Sequence, residues 1–180
     1  MAILPIYTYG DAVLKKVAKP IKKVDDKIQK LIDDMFETMA QANGIGLAAP
    51  QVGVSIRLMV VDVSCVKECK HIPPMVIINP QILETKGEVL MEEGCLSIPG
   101  VREEVWRPEI IKLKYRDRDF KERIEEFDGL VSRVIQHELD HLNGELFVEK
   151  LDSKTRRELK EELEAIKRGE AEAAYVLAEK

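Results

Sequence analysis

The sequence predicts an α+β fold, with antiparallel or mixed β-sheets packed around a central helix and further helices toward the N- and C-termini. Three observations lead there. Apolar residues recur at helical spacing from about Asp25 to Ala42 and again from Leu130 to Leu142. Between them lie several short β-rich stretches, and the chain closes on a run of strong helix formers. Helix, then strands, then helix is the order of a segregated α+β fold rather than the alternation of a doubly wound sheet.

Each element rests on its own signal. Ile28, Leu31, Ile32, Met35 and Met39 repeat at helical spacing, with Asp25 as the predicted N-cap and Asn43-Gly44 as the stop. Residues 44–53 (GIGLAAPQVG) hold three glycines and a proline and read as a tightly packed loop without regular structure. Arg57–Val63 and Pro74–Asn79 are β-rich, and Ile82–Met91 suggests a strand bent at Gly87. Glu109–Tyr115 and Lys121–Phe127 flank Asp117-Arg118-Asp119 and read as a hairpin. Residues 130–142 form the central helix, ended by Asn143-Gly144. Ser153 to about Glu179 predicts a second long helix with a break near Gly169.

The chain has 180 residues and no linker or repeat, so one domain spanning 1–180 is expected, with 153–180 as its helical tail. Its net charge of -5 argues against a general nucleic-acid binder. MAILPIYTYG lacks the basic start and apolar run of a secretory signal, and no stretch reaches the roughly 20 apolar residues of a membrane helix. Three cysteines are too few for a disulfide framework, which fits a reducing cytoplasm.

His137-Glu138-Leu139-Asp140-His141 carries the chemistry. On a helix, two histidines four apart share one face and can hold a single ion, with the intervening glutamate close enough to reach its water. Leu130, Val134, His137 and His141 form one stripe, so the histidines sit among apolar neighbours. A catalytic metal site needs a third protein ligand. Glu145, Glu149 and Asp152 lie downstream; Cys95 lies upstream in EEGCLSIPG, and by itself reads more readily as a small buried hydrophobe than as a ligand. Cys65, Cys69 and His71 are too irregularly spaced for a second site and read as a loop with two free thiols.

Three segments in order, GIGLAAPQ at 44–51, EGCLS at 93–97 and QHELDHLNG at 136–144, resemble the three signature motifs of the peptide deformylases, and the short connection at 64–73 and the helical tail resemble the type-1 branch. The resemblance runs from near the N-terminus to about residue 150. It implies a metal-dependent hydrolase that removes the formyl group from N-terminal formylmethionine. Carried over residue by residue, Cys95, His137 and His141 are the metal ligands and Glu138 is the general acid/base. Gln51 and the Leu96 backbone N–H become the oxyanion donors. The cofactor implied is one divalent ion, Fe2+ first, with Zn2+, Ni2+ or Co2+ able to substitute.

The resemblance further implies a pocket for the methionine side chain, with walls from Ile45, Met91, Leu130, Val134 and His137. Gly44 and Gly46 leave bare backbone for close approach of a peptide, and Gly94 is expected to contact substrate with Gly46. Arg102 is expected to contact substrate or pair with Glu93, and Arg133 to line the rim with its guanidinium in water. The expected partners are N-formyl-Met nascent peptides, met by a monomer that neither enters a membrane nor reads nucleic acid. In some family members a C-terminal helix docks on the ribosome. Here residues 152–180 carry seven basic and eight acidic side chains, which permit a transient contact but fit a solvated helix better. A general zinc endopeptidase, which shares HExxH but not EGCLS, is the alternative, and a non-catalytic metal protein the third reading.

Overall fold

A computed structural model describes residues 2–180. The first long helix, α1 (Asp26–Gln41), starts where predicted, with the Asp25 carboxylate accepting the Ile28 N–H at 3.0 Å. Such a cap contributes about 1 kcal/mol. Asn43 then turns left-handed at φ 55° and stops the helix.

The predicted loop at 44–53 is corrected in part. Gly46–Ala48 forms a short strand, β1, antiparallel to β2 (Leu58–Val61). Its partner lies across a 3-10 turn at Ala49–Val52, so nothing within GIGLA itself announces a strand. The two strands expected at 74–79 and 82–91 are divided elsewhere. Met75–Lys86 is one strand, β3, and Val89–Cys95 is β4. A register shift between Ile78 and Gln81 spans Asn79 (φ 51°) and Pro80, where the missing N–H interrupts the ladder without ending it. Gly87, at φ 69°, lies between β3 and β4.

One strand was not expected at all. Ile98–Arg107 is β5, and it forms a two-stranded antiparallel hairpin with β4. Pro99, Gly100 and the charged run Arg102-Glu103-Glu104 hide it; only pairing with β4 makes Ile98, Val101 and Val105 an inward row. The hairpin of β6 (Ile110–Arg116) and β7 (Glu122–Phe127) matches its prediction.

The other sheet has the order β1-β2-β3-β6-β7. Both faces of β2 are covered, as its uninterrupted apolar sequence requires. Met59 and Val61 join the cluster beneath the HExxH helix, α2 (Gly129–Leu142), with Val134, Ile135 and Leu139. Leu58 and Val60 point the other way, toward Ile32, Met35 and Met39 of α1. A third cluster joins the β4–β5 hairpin to Leu14, Phe147, Leu163 and Ile166.

The tail is the largest correction. The break predicted near Gly169 is present, but the residues before it form two short helices, α3 (Ser153–Glu158) and α4 (Lys160–Lys167), and those after it form none. Gly169, at φ 81°, donates to the Ile166 carbonyl, Glu170 donates to that of Ala165, and the chain leaves the helix. It returns alongside the N-terminal segment, where Ile6 and Leu177 form a parallel bridge. Among the described residues, no helix is long and apolar enough to cross a membrane.

Candidate active site

Three elements converge. The buried face of α2 carries His137, Glu138 and His141. The end of β4 brings Glu93, Gly94 and Cys95, and Leu96-Ser97 makes the tight turn into β5. The 3-10 turn after β1 supplies Gln51, which is buried.

Cys95 and one ring nitrogen from each of His137 and His141 have their ligand atoms within 4.8 Å of one another. Cys95 Sγ lies 3.2 Å from His141 Nε2, although the two residues are 46 positions apart. His137 Nδ1 is taken by Glu93 Oε1 at 2.8 Å, which leaves its Nε2 for the cluster. Burial, then the neighbouring His137, holds His141 well below the usual histidine range, whereas for His137 burial is outweighed by Glu138, Cys95 and Glu93, which hold it well above that range. Both rings must shed the proton on the ligating nitrogen to bind an ion. A thiolate with two imidazoles, closely grouped and shielded, fits a divalent transition metal with a coordination position to spare.

Glu138 is 4% exposed, and its Oε1 makes no hydrogen bond among the described residues. Burial pushes its carboxyl up to about 7, against the lowering effect of His137. That is the range in which a carboxylate can both take and return a proton at neutral pH. Gln51 is fixed at both ends. Its Oε1 accepts the Ala48 N–H at 2.9 Å, while its Nε2 donates to Ser97 Oγ at 3.1 Å and lies 3.6 Å from Cys95 Sγ.

These groups border a cavity of about 480 Å³, whose lining includes Ile45, Gly46, Gly94, Leu96, Arg102, Leu130 and Val134. Gly46 is there for a steric reason: a Cβ on it would stand 2.6 Å from Val134 Cγ1 and 2.8 Å from Glu138 Oε2. Met91 is not part of that lining; it pairs with Val105 farther down the β4–β5 hairpin.

Two arginine expectations are corrected. Arg102 pairs with Glu92 at 2.6 Å, both exposed at the cavity rim, and not with Glu93. Strand alternation explains it, since Glu92 and Glu93 point to opposite sides of β4. Arg133 does not reach water: it is 4% exposed, and its guanidinium donates to Glu93 Oε2 at 2.6 Å and to the carbonyls of Val89 and Val105. Arg107 completes the cluster, gripping Glu93 through Nε and Nη2 and Asp140 through Nη1. Burial pushes the Glu93 carboxyl up, but hydrogen bonds from His137 and Arg107 outweigh it and hold the group well below the usual carboxylate range.

The family model described as Polypeptide deformylase matches residues 3–157. The chain belongs to the polypeptide deformylase family. A peptide deformylase of Chlorobium luteolum is 58% identical over 98% of this chain and 93% of its own length. The solved peptide deformylase from Legionella pneumophila superposes with a TM-score of 0.85 at 44% identity, over 93% of this chain and 96% of that one. A peptide deformylase from Ehrlichia chaffeensis, solved in complex with actinonin, gives 0.85 at 39% identity, over 96% and 100%. The α+β fold with antiparallel sheets thus matches that of the solved peptide deformylases.

The sequence did not identify Arg107, the grip of Arg133 on Glu93, or Tyr175, which also lines the cavity. For Glu93 a signal existed: with Glu92 beside it on a strand, one of the two had to face inward.

Proposed function

We propose that this chain removes the formyl group from N-formyl-Met peptides by hydrolysis, within one catalytic domain spanning residues 1–180. The observation that carries the reading is the grouping of the Cys95, His137 and His141 ligand atoms within 4.8 Å of one another, with Cys95, His137, Glu138 and Gln51 lining one cavity. Cys95, His137 and His141 would hold one divalent ion, ferrous iron in the cell, with zinc, nickel or cobalt able to substitute. The chemistry such an ion supplies is Lewis acidity and a water whose pKa falls from about 15.7 toward 7.

The protein's own groups do the rest. Glu138 takes a proton from the attacking water and returns it to the leaving amine. Gln51 Nε2 and the Leu96 N–H donate to the formyl oxygen as it gains charge; one such donor typically contributes about 3 kcal/mol. Ile45, Leu130 and Val134 hold the methionine side chain. Gly46 and Gly94 let the peptide backbone approach, and Arg102 with Glu92 marks the rim. Met91 enters only as support for Val105.

The partners proposed are nascent N-formyl-Met chains, met by a monomer in the cytoplasm. Lys154, Arg156, Arg157 and Lys160, on and between α3 and α4, would supply any transient ribosome contact. The test compares kcat/KM on matched formyl-Met and acetyl-Met peptides. A formyl group carries only hydrogen where acetyl carries a methyl, and a displacement near 1 Å costs about 100-fold. Similar rates on both, or internal cleavage of an unformylated protein, would replace this reading with a general endopeptidase.

A further inference from the structure

The last ten residues lie outside the stretch matched by the family model, yet they reach the active site. They meet the N-terminal segment at a single parallel bridge: the Ile6 N–H donates to the Val176 carbonyl at 2.9 Å, and the Ala178 N–H to the Ile6 carbonyl at 2.8 Å. Lys180 Nζ ends the strap on the Tyr9 carbonyl and Asp11 Oδ1. Held this way, Tyr175 packs against the buried cluster that contains Ile6, Leu47 and Val52, and borders the cavity. Its hydroxyl donates to the Leu96 carbonyl at 2.7 Å.

That carbonyl belongs to the two-residue turn following Cys95. The same turn is held at two other points, by the Tyr9 N–H on the Ser97 carbonyl at 2.9 Å and by Gln51 Nε2 on Ser97 Oγ. Tyr175 supplies the third point, on the residue between. Two-residue turns have few internal bonds, so their peptide planes are set by what grips them from outside. We infer that Tyr175 is a positioning residue: its hydroxyl, delivered by the C-terminal strap, fixes the Leu96–Ser97 peptide plane and, through the Leu96 Cα, restrains the adjoining Cys95–Leu96 plane, so that the Leu96 N–H and the Cys95 thiol keep their working orientation. The inference rests on the deformylase reading for the role of the Leu96 N–H. Burial pushes the hydroxyl up to about 12, which keeps it a donor throughout the neutral range.

The test is Tyr175→Phe in the full, metal-loaded chain, which keeps the ring and removes only the donor. Activity on a formyl-Met peptide should fall about tenfold, the equivalent of one misplaced hydrogen bond. The loss should appear in kcat, with KM within about twofold because the methionine pocket is untouched. Amide hydrogen exchange is the second readout: the Leu96 and Ser97 N–H groups should exchange faster in the variant, while those of α2 do not change. Unchanged exchange at Leu96 and Ser97, or an unchanged kcat, overturns the inference. So does a loss confined to KM, which would make Tyr175 a wall of the pocket only. If the wild-type chain fails to hydrolyse formyl peptides, the deformylase reading falls by itself, and the exchange experiment still decides whether the tether exists.

Discussion

His137 Nδ1 and Glu93 Oε1 lie 2.8 Å apart, so the first histidine of HExxH is oriented by a carboxylate 44 positions earlier in the chain. The same carboxylate neutralises two buried guanidiniums, those of Arg107 and Arg133. One side chain thereby couples the metal ligand to the β4–β5 hairpin.

Glu93→Gln should therefore do two kinds of damage. Leaving Arg107 and Arg133 short of a buried counter-charge should cost about 3 kcal/mol or more of stability. Losing the group that orients His137 should weaken metal affinity about 10- to 100-fold. Thermal denaturation reads the first and chelator competition the second. Metal affinity equal to wild type would show that the hydrogen bond does not orient the ligand.

Glu138→Ala should behave in the opposite way. Its Oε1 has no partner to lose, so the fold should survive with little change in Tm and a full complement of metal. Turnover should drop by at least about 100-fold, and up to about 10,000-fold, as expected for a lost acid/base group. Metal stoichiometry measured beside kcat separates the roles; loss of the metal would make Glu138 a ligand.

Gly46→Ala tests the close approach of β1 to α2. The added methyl meets the Val134 side chain and the Glu138 carboxylate at distances real side chains do not tolerate. Overpacking of this kind costs about 1 to 3 kcal/mol, and here it presses directly on the acid/base group. Both Tm and kcat/KM should fall. A stable variant with normal kcat/KM would mean that β1 shifts freely.

The N-terminal segment gives a pH-dependent prediction away from the metal site. Asp34 accepts hydrogen bonds from Lys30 Nζ at 2.6 Å and from the Ala2 N–H at 2.7 Å. Lys30, opposed by burial and helped by the Ala2 N–H, lowers its pKa. A depressed carboxylate pKa stabilises the fold above the unfolded value of about 3.9 and ceases to do so as pH falls through the folded value. Asp34→Asn should thus lower Tm at pH 7, with the gap to wild type closing as the pH drops below about 4. A gap that stays constant down to pH 3 would mean that the charge of Asp34 contributes nothing.

The HExxH pair was readable because it is a local code: a helix repeats every 3.6 residues, so spacing alone puts His137 and His141 on one face around Glu138. The Asp25 cap and the β6–β7 hairpin were readable for the same reason, since each is set within a few residues. Cys95 was legible only through the motif order shared with the deformylases. Its chemistry by itself fitted a small buried hydrophobe better than a ligand, and its place beside His141 depends on a contact across 46 positions. Strand β5, the burial of Arg133, the pairing of Arg102 with Glu92 and the approach of Tyr175 to Leu96 were decided by tertiary structure alone. Each depends on which distant segment arrives alongside. A charged side chain's own sequence does not say whether water or a buried counter-charge will meet it.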